Sequence, residues 1–163
     1  HLNTALTEDI KGVEVIEISL ENKYAIVDMK DDIDITKLKE VIEELDLKNI
    51  EAIHTRVEEY AKKNIEKYEI VTARAVAHLS ILLEYGLPML KNNYYFIAMK
   101  GNLEVEIKES NKALEILNSK IEKIEEFKLP LENSNRTLIK IKKIKSCPKK
   151  YPRKYSEIKK QKL

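Results

Sequence analysis

The residue best suited to bind a ligand is Arg74, which ends a hydrophobic strand in the run YEIVTARAVA, Tyr68 to Ala77. A helix start follows directly, so Arg74 is predicted to lie where a strand meets the next helix. Open α/β sheets bind their ligands in a crevice outside the carboxyl ends of the strands. A guanidinium within an apolar sequence must be paired or must face a polar ligand. Arg74 is therefore a candidate binding residue, with a salt bridge across the sheet edge as the structural alternative.

The basic tail of the chain is a second candidate binding region. Residues 140–163 carry eleven Lys or Arg and one acid, a net charge of +10, whereas the residues before Lys140 carry a net charge of −8. Cations interleaved with tyrosines can neutralise phosphates and stack on bases, which predicts contact with nucleic acid. A solvated basic extension is the alternative, but Pro148 and Pro152 favour a shaped arm. The candidate contact residues are Lys142, Lys143, Lys145, Lys149, Lys150, Tyr151, Arg153 and Lys154.

Composition limits the class of protein. A chain of 163 residues with 43% hydrophobic and 36% charged residues is expected to fold around one core. The only cysteine, Cys147, excludes an intrachain disulfide and a zinc framework, and no metal site or nucleophilic triad is indicated. No apolar run of membrane-spanning length and no signal peptide is visible, so we expect a cytoplasmic location.

Alternating strand-like and helix-like segments predict a layered α/β domain that would position these residues. Apolar spacing predicts helices over residues 35–45, Leu79 to Leu90 and Leu103 to Leu117. The link from Pro130 to Asn135 is too short for a helical crossover, so the last two strands are predicted to pair antiparallel. The predicted strands are Val13–Ile18, Tyr24–Asp28, Ile50–Thr55, Glu69–Arg74, Tyr94–Lys100, Lys120–Leu129 and Arg136–Ile144.

Several stretches of the sequence resemble one enzyme family. In order and spacing they look like the bacterial small-subunit (16S) ribosomal RNA guanine-N7 methyltransferases, the RsmG or GidB family. The resemblance is strongest from Lys39 to Lys154. The stretches are VTARAVA at Val71 to Ala77, FKLP at Phe127 to Pro130, Arg136 before an apolar strand, and PKKYPRK at Pro148 to Lys154.

The resemblance implies a class I methyltransferase fold, a Rossmann-like three-layer sandwich whose seven-stranded sheet has its last strand antiparallel. It implies one methyltransferase-like domain over residues 1–163, in which residues 145–163 form a basic arm that contacts RNA. It also implies methyl transfer from S-adenosyl-L-methionine to N7 of a guanine in 16S ribosomal RNA, with the small ribosomal subunit as partner. Guanine N7 has an exposed lone pair and no proton, so alignment alone suffices and no catalytic residue is assigned.

The resemblance also implies cofactor contacts. Arg74 matches an arginine of the family's cofactor site, and Val57 and Glu58 are similar to an Ala-Glu pair that meets the adenine. Glu58 is equally explained as a first-turn acid favoured by the helix dipole. Asp28 ends the second predicted strand, where related folds use an acid to accept ribose hydroxyls. A solvated carboxylate beside Lys30 is the alternative for Asp28.

One feature of the family is missing from the sequence. An S-adenosylmethionine site needs a glycine-rich loop after the first strand, because a Cβ would obstruct the cofactor. Ser19 to Lys23, which separate the first two predicted strands, include no glycine and are too few for a parallel crossover. The first crossover helix is therefore expected to be missing. We expect either a non-catalytic RNA-binding or ribosome-binding protein with a degenerate cofactor site, or a chain from which this loop and helix have been left out.

Overall fold

The protein is described by a computed structural model over residues 13–19, 24–29, 35–48, 50–74, 77–101, 104–129 and 133–163. The chain divides into two compact units, residues 1–55 and residues 56–163. Each unit has its own secondary structure.

The first unit contains a β-hairpin and a helix. Strands β1 (Val13–Ser19) and β2 (Tyr24–Met29) pair antiparallel, in agreement with the argument that the link between them is too short for a parallel crossover. Helix α1 spans Ile35–Glu44, as its apolar spacing predicts. It ends in a Schellman arrangement, in which Asp46 takes a left-handed φ of 49° and the Leu47 N–H donates to the carbonyl of Ile42 at 3.0 Å.

The strand predicted at Ile50–Thr55 is wrong, because these residues have no regular secondary structure. A strand requires a neighbouring backbone as well as apolar side chains, and no described strand pairs with this segment. Ile53 is itself 46% exposed. The short apolar pattern at Ile50, Ala52 and Ile53 was therefore insufficient evidence for a strand.

The second unit is built on a mixed sheet of four strands in the order β3-β4-β6-β5. Strands β3 and β4 are parallel, whereas β6 runs antiparallel to both β4 and β5. The predicted antiparallel pairing of the last two strands is confirmed, and the last strand lies between two earlier ones. The strands are β3 (Tyr68–Arg74), β4 (Leu90–Lys100), β5 (Ser119–Lys128) and β6 (Asn135–Lys143).

Short helices connect and cover these strands. Helix α3 (Leu79–Gly86) is the crossover that parallel strands such as β3 and β4 require, and a 3₁₀ turn at Leu87–Met89 ends it before β4 begins at Leu90. The helix predicted over Leu103–Leu117 is divided at Ser110 into α4 and α5. No helix in the described ranges has the length and apolar character needed to cross a bilayer. The helices of this unit are α2 (Val57–Lys63), α3 (Leu79–Gly86), α4 (Glu104–Glu109), α5 (Asn111–Ile116) and α6 (Tyr155–Lys160).

The core of the second unit lies between one face of the sheet and its helices. Phe96, Ile139 and Ile141 are buried in one cluster with leucines of α3 and α5. Gly86 brings α3 against the sheet, because a Cβ at this position would lie 2.6 Å from Cδ2 of Phe96. Helices α3 and α5 therefore close this face of the sheet.

Candidate functional site

Four strands of the second unit contribute side chains to one edge of the sheet, at the carboxyl ends of β3, β4 and β5 and the amino end of β6. Residues directly opposite each other in a ladder project to the same face, and the face alternates along each strand. The register therefore places Arg74, Arg136 and Phe127 on one face and Lys100 and Thr137 on the other. The pairs that fix this register are Arg74 with Met99, Met99 with Leu138, Lys100 with Thr137, and Phe127 with Arg136.

Arg74 lies at the carboxyl end of β3, where the sequence predicted it. Its side chain is half-buried at the point where open α/β folds bind ligands. The cofactor role that the resemblance implies for Arg74 stays a prediction.

An ionic network closes the junction between β3 and α3. The Glu106 carboxylate accepts hydrogen bonds from Lys100 Nζ at 2.8 Å and from the Leu79 N–H at 2.9 Å. Burial raises the pKa of Glu106, but these two hydrogen bonds outweigh it and hold the pKa below its ordinary value. His78 caps α3 through Nδ1, which accepts from the Ser80 N–H, while its Nε2 lies 2.8 Å from Glu109. Sequence reasoning did not identify Lys100 and Glu106, because only the fold brings β4 and α4 to this junction.

A groove of about 390 Å³ opens at the same edge of the sheet. We name it the edge groove, and its lining comes from Gly101 after β4, residues 126–128 at the end of β5, and residues 135–137 at the start of β6. Thr137 Oγ1 donates to the Gly101 carbonyl at 2.8 Å, which ties β6 to the end of β4. Phe127 is 41% exposed there. Phe127 and Arg136 carry part of the family resemblance, but no role was predicted for either of them.

The start of α2 carries the two residues matched to an adenine-binding pair. Val57 is exposed, whereas Glu58 is buried and accepts a hydrogen bond from Arg56 Nε at 2.9 Å. The Arg56 guanidinium also lies 4.5 Å from the ring centroid of Tyr155 in α6. Glu58 is therefore held in a packed ion pair and is more than a solvated first-turn acid. Burial, followed by the Glu58 carboxylate, raises the pKa of the nearby Tyr85.

Asp28 lies in the first unit, near the end of β2 and opposite Glu14 in the hairpin register. Its backbone position agrees with the predicted strand end. Its role in holding ribose hydroxyls stays a prediction.

The basic tail is docked on the second unit. Tyr151 belongs to the main core cluster, and Ile158 of α6 is buried. The buried Glu84 carboxylate of α3 accepts three hydrogen bonds from Arg153, at 2.9 Å from N–H, 2.8 Å from Nε and 2.7 Å from Nη2. The hydrogen bond to Glu84 raises the pKa of the Arg153 guanidinium further. The arm is thus part of the folded unit.

Two members of the predicted RNA-binding set are buried, and the structure removes them from that set. The Lys143 side chain has no exposed surface, and its Nζ donates to the Leu90 carbonyl at 2.6 Å and to Glu66 Oε1 at 3.1 Å. A hydrogen bond from Ser146, together with the Lys143 ammonium, lowers the pKa of Glu66. Tyr151 is only 6% exposed, so its ring is not available for stacking on a base.

The other members of the set differ in exposure. Arg153 is held by Glu84, and Lys142 is half-buried with its Nζ 5.9 Å from the ring centroid of Tyr95. The exposed cations of the set are Lys145, Lys149, Lys150 and Lys154.

Comparison with known protein families decides the relationship. The family model described as GidB, rRNA small subunit methyltransferase G, matches residues 16–145. The chain belongs to this family. The resemblance predicted from VTARAVA and PKKYPRK is therefore confirmed.

Individual GidB-family relatives support the assignment. The Ribosomal RNA small subunit methyltransferase G of Acetivibrio thermocellus is 54% identical over 122 residues, which are 72% of this chain and 49% of that protein. The proteins of the same name from Lactobacillus acidophilus and Bacillus subtilis are 49% and 46% identical, over 73% and 74% of this chain and 51% and 52% of theirs. The chain thus spans about half the length of the curated relatives it matches.

Two described residues offer charged groups to the cofactor of the GidB family. Glu58 supplies a buried carboxylate at the start of α2, and Arg74 supplies a guanidinium at the end of β3. The sequence between β1 and β2 contains no glycine. This link therefore lacks the glycine-rich loop that lets the methionine and ribose of the cofactor approach the backbone. Residues 20–23 of this link lie outside the described ranges.

Proposed function

We propose that this chain takes part in methylating N7 of a guanine in 16S ribosomal RNA, with S-adenosyl-L-methionine as the methyl donor. The observation that carries the proposal is the arrangement of Arg74, Arg136 and Phe127 on one face at the carboxyl edge of the sheet. That edge is where open α/β folds bind ligands. Membership of the GidB family supplies the reaction class.

The chemistry requires little beyond alignment. When bound, S-adenosyl-L-methionine supplies an electrophilic methyl group, and the N7 lone pair of guanine needs no base to activate it. In this chain, Arg74 and Glu58 would hold the cofactor, and Asp28 and Val57 are further proposed contacts. The Lys100–Glu106 pair fixes the junction beside Arg74, with 2.8 Å between Nζ and Oε2.

The proposal includes an architecture, a partner and a location. We propose that the four strands of the second unit belong to a class I methyltransferase sheet. The partner is the small ribosomal subunit, contacted through the exposed lysines of the arm, since clustered cations bind phosphates. A cytoplasmic location follows from that partner.

Transfer of labelled methyl groups tests this function. The chain is incubated with labelled S-adenosyl-L-methionine and undermethylated 30S particles, and the RNA is digested to locate the label. We expect label at guanine N7 and at least a tenfold loss with Arg74→Ala. Lys91→Ala is the matched control, because this exposed cation lies at the opposite end of β4. Absence of label in any guanine would refute the proposal.

A second candidate function is non-catalytic binding of RNA or the ribosome. The absence of glycine between β1 and β2 favours it, because a methyltransferase site needs close backbone approach there. Calorimetry with S-adenosylhomocysteine separates the two functions. Tight binding would eliminate the second candidate, whereas binding of RNA without binding of the cofactor product would favour it.

A further inference from the structure

We propose that the edge groove holds an unpaired guanine nucleotide of the RNA, with its base stacked on the ring of Phe127. This inference rests on the proposed function and deepens it by assigning a positioning residue for the target base. The groove is lined by residues of β4, β5 and β6, at the edge of the sheet that also carries Arg74.

The size and lining of the edge groove suit a nucleotide. Its volume of about 390 Å³ lies in the range of roughly 300–1,000 Å³ that small ligands occupy. Phe127 exposes 41% of its surface there. Proteins that recognise unpaired RNA bases commonly stack them on aromatic rings of this kind.

The charge beside Phe127 favours an anionic ligand. Arg136 lies directly opposite Phe127 in the β5–β6 ladder, so their side chains are neighbours on one face. Lys128 and Glu126 also line the groove, but they lie opposite Asn135 and Thr137, so alternation directs both toward the other face. A cation beside an aromatic ring matches the phosphate and base of one nucleotide.

Stacking is also the mode of recognition that leaves the reacting atom accessible. The commonest specific contact to guanine is a bidentate one from Arg to O6 and N7, and it would occupy the lone pair that must accept the methyl group. A base held by its face on Phe127 keeps N7 open. Arg74 shares that face two strands away from Arg136 and two residues further along the sheet, roughly 12 Å by the usual strand spacing and rise. The proposed cofactor residue and the groove are therefore neighbours.

Photo-crosslinking tests the assignment without any cofactor. The probe is a short single-stranded RNA of uridines with one central 6-thioguanosine, and crosslinked peptides are mapped by mass spectrometry. We expect the crosslink in the peptide that contains Phe127. We also expect Phe127→Ala to weaken binding of this RNA roughly 5- to 150-fold, the range measured for losing one stacked base. Phe127→Tyr should bind within about 3-fold of the wild type, because it keeps the aromatic face.

Ile124→Ala is the matched control, because Ile124 lies on the same strand and is 42% exposed, against 41% for Phe127. It should bind like the wild type. Equal binding by Phe127→Ala and the wild type, no crosslink at all, or crosslinks confined to the arm would each overturn the inference. A crosslink at Phe127 in a chain that methylates no guanine would refute the proposed function and leave the groove assignment standing. Unchanged methyl transfer by Phe127→Ala would refute the groove assignment and leave the proposed function standing.

Discussion

Replacement of Arg153 by Met should destabilise the second unit by about 3 kcal/mol. Glu84 is 1% exposed and receives three hydrogen bonds from Arg153, of which only the one from the backbone N–H survives the change. Loss of one partner of a buried pair costs roughly 3–5 kcal/mol, because the remaining charge is left uncompensated. The Arg153 side chain is 19% exposed, so water partly replaces the guanidinium and the lower end of the range applies.

Urea denaturation at pH 7, followed by circular dichroism, measures this loss as a change in the free energy of unfolding. Lys154→Met is the matched control, because Lys154 is the adjacent exposed cation and should change stability by less than about 0.5 kcal/mol. If Arg153→Met costs less than about 1 kcal/mol, or if both variants lose the same free energy of unfolding, the hydrogen bonds between Arg153 and Glu84 do not hold the arm in place.

A double variant separates the pair from the packing around it. Glu84→Met with Arg153→Met removes both charges, and apolar replacement of a buried pair is often neutral or stabilising. We therefore expect the double variant to be more stable than Arg153→Met alone. If the double variant instead loses as much stability as Arg153→Met and Glu84→Met together, then packing, and not the uncompensated carboxylate, causes the destabilisation.

Three further predictions concern other contacts of the second unit. Burial raises the pKa of Cys147 to about 11. Its alkylation by iodoacetamide at pH 8, followed by mass spectrometry, should therefore be about 100-fold slower than that of a thiol at the ordinary pKa of 9.0. Alkylation as fast as that of a free thiol would contradict this. The lowered pKa of Glu106 means that its pairing stabilises the fold above the ordinary value of 4.5 and is lost as the pH falls through the lowered pKa. Lys100→Met should therefore lose less stability than the wild type between about pH 5 and pH 3, and equal acid slopes in denaturation curves would rule out the pair. Gly86→Ala should cost about 1–3 kcal/mol in urea denaturation, because the added methyl group forces the Phe96 ring to move; unchanged stability would disprove this close approach.

The main strands were predictable because each one combines an apolar run with polar ends. Strand β3 follows the apolar pattern of YEIVTAR almost to the residue. Strand β4 begins at Leu90, earlier than the predicted Tyr94, because Leu90 pairs with Tyr68 of β3. Asn93 has a left-handed φ of 70°, and the β3–β4 register is irregular opposite this segment. Such a polar, irregular strand end gives no hydrophobic signal.

The location of the candidate site could be predicted from the sequence more readily than the residues that form it. The position of Arg74 at a strand end was predictable, because the sequence pattern indicates both the strand and the helix that follows it. Lys143 was misassigned because charge counts do not give side-chain direction. The alternation of Thr137, Ile139, Ile141 and Lys143 along β6 places all four on the closed face, and this period of two was the signal that could have corrected it.

The docking of the arm determines how its role in RNA binding can be separated from its role in the fold. Tyr151 and Ile158 are buried, and Tyr155 lies against Arg56, which holds Glu58. Deletion of residues 145–163 would remove core contacts and disturb the start of α2 together with the exposed lysines. Loss of RNA binding in such a truncated protein would therefore not distinguish a missing phosphate contact from a damaged fold. Substitution of exposed cations such as Lys145 and Lys149 removes charge without touching the core, so the salt dependence of RNA binding in those variants reports the arm's electrostatic contribution directly.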